Sequence, residues 1–201
     1  MSGDTYRTIV APSQGLYKEK GSKFLAFAYP ISAVEEVKPI LERLRKEYYD
    51  ARHHCYAYVL GADKECFRVN DDGEPSGTGG RPIHGQMLSA DLTNMLIVVV
   101  RYFGGILLGA SGLANAYKAA ARDAIDNATI IEKTVDVTFH LQFEYVLMND
   151  VMRIVKDFGL TCRNQDFNLD CRMDVSIRKS EASRLRDALE HLRGLVVTCD
   201  P

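Results

Sequence analysis

The chain has no tryptophan, and its five cysteines, Cys55, Cys66, Cys162, Cys171 and Cys199, are odd in number and scattered. In 201 residues, long enough to bury a core without staples, that pattern excludes a disulfide framework and favours reduced thiols. Long apolar runs are lacking too: the longest, Met95 to Val100, falls far short of the roughly 20 residues that span a bilayer. The first residues, with Asp4 and Arg7 around Thr5 and Tyr6, have no apolar core of the kind a secretory signal carries. A soluble, globular, cytoplasmic protein with no membrane partner is the expectation.

An excess of one charge is also missing. Residues 1–134 hold 16 basic and 16 acidic side chains, and residues 135–201 hold 9 and 11. Without a basic surplus in either part, strong nonspecific nucleic-acid binding is excluded and no DNA partner is expected; any RNA contact has to rest on a local patch.

Against these absences stands a concentration of glycine. Asn70-Asp71-Asp72-Gly73-Glu74-Pro75-Ser76-Gly77-Thr78-Gly79-Gly80-Arg81-Pro82 carries four glycines and two prolines, and Arg101-Tyr102-Phe103-Gly104-Gly105-Ile106-Leu107-Leu108-Gly109 follows the apolar run. Segments with so little side chain specify backbone shape rather than core. On either side of one apolar strand, they are expected to form a composite binding site. Its form is a shaped, mildly basic groove with Asp71, Asp72, Glu74, Arg81, Arg101 and Tyr102 as the polar rim.

Spacing removes several chemistries from this site. An EF-hand loop needs an acidic or amide residue five places before its glycine, where Arg68 precedes Gly73. The three acids are instead expected to cap loop amides and to accept from Arg81, with no metal bound. Gly104-x-x-x-x-Gly109-Ala110-Ser111 approaches a phosphate loop and is expected to open a helix, whose free amides and dipole favour an anion. The P-loop lysine is missing, with Ala110 in its place, and Ile106-Leu107-Leu108 is too apolar to wrap a triphosphate. A tight strand-to-helix turn and a weak phosphate or backbone site both stay open.

On the strand Arg52-His53-His54-Cys55, alternation sends His53 and Cys55 to one face and Arg52 and His54 to the other. The pair lies side by side with no third residue to orient it, so no catalytic residue is assigned. His53 is expected to hydrogen-bond beneath the glycine loop. No second C-x-x-C or H-x-x-x-H pair completes a zinc site.

Periodicity outlines the rest. A hairpin is expected over Lys18–Pro30 with its turn at Gly21-Ser22, then a helix capped by Ser32 with Glu35, kinked or late-starting because of Pro39. Strands follow over 52–60 and 65–70, a short helix from Pro82 to about Ala90, the buried strand 94–100, and an alanine-rich helix over 112–127. After Lys133 the pattern changes. Alternation from Val135 to Tyr145, a helix ended by Gly159, a strand over 160–163, a turn at Asn164-Gln165-Asp166, a strand from Leu169 to Ile177, a helix over 180–193 and a strand over 195–199 give β-α-β-β-α-β. The wet face of that sheet, with Thr138, His140, Gln142, Arg172, Ser176 and Arg178, lacks the aromatic pair on which RNA-binding sheets stack bases.

Three segments in order, Asp50-Ala51-Arg52-His53-His54-Cys55-Tyr56-Ala57, the glycine loop from Asp71 to Pro82, and Val98-Val99-Val100-Arg101-Tyr102-Phe103-Gly104-Gly105-Ile106-Leu107-Leu108-Gly109, resemble the IMPACT family, in particular its bacterial YigZ-like members. The resemblance implies an α+β protein. An N-terminal domain of the ribosomal protein S5 domain 2-like α/β fold would cover 1–133, and a ferredoxin-like domain, similar to domain V of elongation factor G, 134–201. It also implies a link to translation, since eukaryotic members regulate it by competing for the activator of a translation-initiation kinase. Family members commonly carry Thr-Gly where Ala110-Ser111 stands and a basic residue where Asn115 stands, so an anion at that helix start would meet less positive charge here.

Two functions are weighed. One is a non-enzymatic, translation-associated regulatory protein that binds the ribosome, RNA or a translation-related protein, without a cofactor. The other is a small-ligand or phosphate-binding enzyme, because kinases of small metabolites share the S5-like fold. Pro75-Ser76-Gly77-Thr78-Gly79-Gly80 looks like their loop but lacks the Ser-Ser-Ala that follows it. The binding residues expected are His53, Asp71, Asp72, Glu74, Ser76, Thr78, Arg81, Arg101, Tyr102, Gly104, Gly105 and Ser111.

Overall fold

Strands whose side chains are apolar on both sides need cover on both faces, and helices supply it here. In the computed structural model, which describes residues 4–199, one unit covers Thr5–Lys133 and a second comprises Thr134 onward with Asp4. The first runs β1 (Thr5–Ile9), β2 (Ser13–Glu19), β3 (Ser22–Pro30), α1 (Val37–Glu47), β4 (His53–Leu60), β5 (Cys66–Asn70), α2 (Gly80–Ser89), β6 (Met95–Tyr102), α3 (Gly109–Asp126) and β7 (Ile130–Thr134). Its main sheet has the order β2-β3-β6-β4-β5, while β1 pairs with β7 separately. All four neighbouring pairs in the main sheet are antiparallel.

Met95 to Val100 is fully buried because each parity meets a different helix layer. Ile97 and Val99 join Phe24, Cys55 and Ala57 against Ile83 and Met87 of α2 and Leu113, Tyr117 and Ala120 of α3. Leu96, Val98 and Val100 join Phe27, Tyr56 and Tyr58 against Val37, Leu41 and Leu44 of α1. The glycine segments lie together at one end of the sheet, one leading from β5 into α2 and one leading from β6 into α3.

Local details depart from expectation for identifiable reasons. The β2-β3 turn is Lys20-Gly21, with φ of 47° and 80°, one residue earlier than Gly21-Ser22, because consecutive positive φ values match the twist of a hairpin. At the start of α1 the capping acid is Glu36, not Glu35: its carboxylate accepts from the amides of Ser32 at 2.7 Å and Ala33 at 3.0 Å. A 3-10 turn over Val34–Glu36 precedes the helix, so Pro39 falls in its first turn, the late start its missing N–H favours. The edge pair β1 and β7 carries too few buried apolar side chains to announce itself.

The second unit runs β8 (Asp136–Glu144), α4 (Met148–Asp157), β9 (Thr161–Phe167), β10 (Asp170–Arg178), α5 (Ala182–Glu190) and β11 (Val196–Cys199), with sheet order β11-β8-β10-β9. Phe139, Leu141 and Phe143 of β8 and Met173 and Val175 of β10 pack on Val151 of α4 and Leu185 and Leu189 of α5. Asn164, Gln165 and Asp166 are not a turn but part of β9. An edge strand with solvated sides tolerates polar residues, and the chain reverses only after Phe167. The last helix is shorter than 180–193, entered by a 3-10 turn over Lys179–Glu181. All five cysteines are free, and among the described residues no helix is long and apolar enough to cross a membrane.

Candidate functional site

The antiparallel register of β4 and β6 sets His53 beside Arg101 and Cys55 beside Val99. By strand parity these four share the face that α2 and α3 cover, and the glycine loop 71–79 closes over its end. Each acid of that loop has a different set of partners.

Asp71 holds the loop to the start of α2. Its Oδ1 accepts from the amides of Gly79 at 2.9 Å and Gly80 at 2.8 Å, and its Oδ2 from Gly77 at 2.8 Å. Burial acts to raise its pKa, but the three amides, helped by the charge of Arg81, hold it below the ordinary carboxylate value. The expected capping is therefore present, whereas direct acceptance from Arg81 is not. Arg81 is the exposed residue of the first turn of α2 and, among the described residues, acts on Asp71 through charge alone. Asp72 takes the His54 amide at 2.7 Å and the Arg45 guanidinium at 2.9 Å. His53 lies beneath the loop, its Nδ1 donating to the Asp72 carbonyl at 2.9 Å.

Glu74 turns inward. Its Oε1 accepts from Arg101 Nη1 at 2.6 Å and from the Tyr117 hydroxyl at 2.9 Å, with the Glu74 side chain 3% and the Arg101 side chain 7% exposed. Neither belongs to a polar rim, contrary to expectation. The cause is parity: Arg101 is on the covered face of β6, and only Tyr102 is on the other. The guanidinium stands 5.5 Å from the Phe24 ring and 5.6 Å from the Phe103 ring, and among the described residues its Nε has no hydrogen-bond partner. Tyr117 meets Phe24 edge-on at 5.1 Å. Sequence reading missed Tyr117 and Arg45. The signal for Tyr117 was a hydroxyl within the otherwise apolar stripe of α3.

Cys55 donates through Sγ to the Asp71 carbonyl at 2.9 Å. Burial pushes its pKa up to about 12; a hydrogen bond with Tyr117 opposes this, and the nearby charges of Glu74, Asp71 and Asp72 add smaller upward contributions. Burial also drives the Tyr117 hydroxyl far above its ordinary value, and Cys55 and Glu74 act in the same direction. A thiol kept neutral, a tyrosine kept neutral and an ion pair satisfied internally do not make a nucleophile or a base. Among the described residues no three His, Cys, Asp or Glu side chains gather as a metal site requires.

The remaining expected residues divide. Thr78 is buried and donates to the Pro75 carbonyl at 2.6 Å, while Ser76 is exposed. Ser111 is exposed in the first turn of α3. Tyr102 donates to Asp50 at 2.8 Å; burial, then this carboxylate, raises its pKa to about 12. Gly104 packs on the β2-β3 turn, its amide donating to Ser22 Oγ at 3.1 Å, and a Cβ there would come within 2.0 Å of Gly21. Gly105 has φ of 87°. The loop so anchored presents Phe103, Ile106 and Leu107 outward, Leu107 being 83% exposed.

A family model described as the Impact N-terminal domain matches residues 20–125. The chain is 35% identical over 170 residues to IMPACT family member YigZ of Escherichia coli (strain K12), covering 84% of this chain and 81% of that protein. It is 38% identical over 96 residues to Protein IMPACT of Homo sapiens, covering 45% of this chain and 29% of the human protein. A solved structure described as that of "an hypothetical protein" superposes with a TM-score of 0.75 at 30% identity, covering 99% of this chain and 98% of the other.

Proposed function

The chain belongs to the IMPACT family, and from that premise we propose that it is a non-enzymatic, translation-associated regulatory protein that docks a translation-related partner on its larger unit. The observation that carries this reading is the closure of the motif's charges. Glu74 and Arg101 satisfy one another below the surface, Asp71 is taken up by three amides, and the outward product of both glycine segments is the apolar loop 103–108. Arg101, buried and paired with Glu74, offers a small anion no open cation. A partner needs a surface of fixed shape, which the locked loops supply.

The regulatory sense follows from what membership implies for eukaryotic relatives, which act by competitive binding and not by catalysis. In this reading residues 1–133 form the IMPACT N-terminal domain with an S5 domain 2-like fold. Residues 134–201 form a ferredoxin-like domain, supported by the β11-β8-β10-β9 order. The protein acts in the cytoplasm.

Co-sedimentation with ribosomes over a series of salt concentrations tests the proposal. Association that is lost in Phe103→Ser and Leu107→Ser variants with the parent's melting temperature supports it. No association with ribosomes, ribosomal RNA or purified translation factors at any salt overturns it.

A further inference from the structure

On the sheet face opposite Arg101, the layer that α1 covers stops short of β2. The register places Leu16 directly across from Leu25, Lys18 across from Lys23, and Lys23 across from Tyr102. These side chains, with Phe103, line an open groove of about 500 Å³. Leu16 is 46% and Phe103 50% exposed.

The groove sets like charges beside exposed apolar surface. Lysines directly opposed across a strand pair repel each other, and among the described residues neither forms an ion pair. One acid, Asp50, also lines the groove, where it accepts from the Tyr102 hydroxyl, so two ammonium groups stand against one carboxylate. Phe103 has one side of its ring over the Arg101 guanidinium at 5.6 Å, which fixes the ring while half of it stays exposed. An aromatic ring and aliphatic floor beside two ammonium groups and one carboxylate form an apolar surface with a net positive edge.

We infer that this groove binds an acidic amphipathic segment of a protein partner, its apolar side chains seated on Leu16 and Phe103 and its carboxylates on Lys18 and Lys23. The inference rests on the docking function proposed above and names the chemistry of the partner. Charge complementarity selects an acidic occupant. The aliphatic floor selects a peptide over RNA, since Leu16 and Leu25 offer a base no ring to stack on and two ammonium groups are a thin footprint for a phosphate chain.

Selection from a random peptide display library on the intact protein tests this, followed by fluorescence anisotropy with the selected peptides and with a short single-stranded RNA. The expected result is acid-rich peptides bearing leucine or phenylalanine, bound about tenfold more weakly by a Lys18→Glu/Lys23→Glu variant. On that variant, selection should turn to basic peptides, a reversal that misfolding cannot imitate. An unchanged charge preference on the double variant, or RNA bound more tightly than every selected peptide, overturns the inference. If ribosome co-sedimentation persists alongside either result, the chemistry named here fails and the docking function stands. If the reversal is seen but no translation component associates, the groove's chemistry is upheld and the proposed function fails.

Discussion

Arg101 Nη1 donates to Glu74 Oε1 at 2.6 Å in a place where both side chains are less than a tenth exposed. The pair joins the two motifs that mark the sequence, one residue from each glycine-rich segment, and Tyr117 adds a donor from α3 to the same oxygen. Two charges at this depth are expensive to desolvate and stay only because each satisfies the other.

Removing one partner should therefore be far worse than removing both. Glu74→Ala leaves the Arg101 guanidinium buried and uncompensated and is expected to lower unfolding free energy by about 3–5 kcal/mol. A Glu74→Leu/Arg101→Met variant, which replaces the pair by apolar groups of similar size, should be more stable than either single change. Urea denaturation of the parent, Glu74→Leu, Arg101→Met and the double variant gives the coupling, and an additive result would show that the pair does not act as a unit.

Gly79 is held to glycine by Cys55. A Cβ at Gly79 would stand 2.6 Å from Cys55 Sγ and 2.9 Å from its Cβ, so Gly79→Ala should destabilise by about 1–3 kcal/mol through overpacking. Cys55→Ala deletes the nearer clash, and the double variant should recover part of the loss. Thermal melts of the single and double variants check this, and equal melting of Gly79→Ala with and without Cys55 would refute the contact.

The elements here were legible wherever hydrophobic periodicity was strong. The twice-covered strand β6 and the β-α-β-β-α-β run declare themselves by their runs and alternation, because burial on one face or two leaves a distinct pattern. What could not be read was long-range. Whether Arg101 is an open cation depends on Glu74 meeting it across 27 residues of chain, and no local pattern encodes that meeting. Strand parity alone would have separated Arg101 from Tyr102, placing one inside and one in the outer groove. Asn164 to Asp166 show the converse limit: on an edge strand, polarity does not mean turn.

Asp71 should link stability to pH. Its carboxyl is held below the ordinary value of 3.8 in the folded protein, so its contribution is complete above that value and is lost as pH falls below it towards the folded pKa. Asp71→Asn, which replaces one accepting oxygen by a donor facing an amide, is expected to cost about 1–3 kcal/mol at neutral pH. The gap between parent and variant in denaturant midpoint should narrow as pH is taken below 4. A gap that stays constant down to pH 3 would mean that ionised Asp71 is not what the loop amides hold.

Cys55 offers the final check on how tightly the site is closed. Cys66 and Cys199 are exposed, Cys162 half-buried, and Cys55 and Cys171 buried; burial and neighbouring acids push the Cys55 pKa up to about 12. At pH 8 iodoacetamide should label Cys66 and Cys199 first and Cys162 more slowly, with Cys55 and Cys171 modified only in denaturant, since the thiolate is the reactive form. The sign of the linkage is opposite to that of Asp71. Above the ordinary thiol value of 9.0 the unfolded chain loses a proton that the folded chain keeps, so stability falls as pH rises from there towards 12. Cys55→Ala should remove that part of the alkaline slope. Mass spectrometry that found Cys55 alkylated as fast as Cys66 in the native protein would show that loop 71–79 opens readily, and that the charges beneath it are available after all.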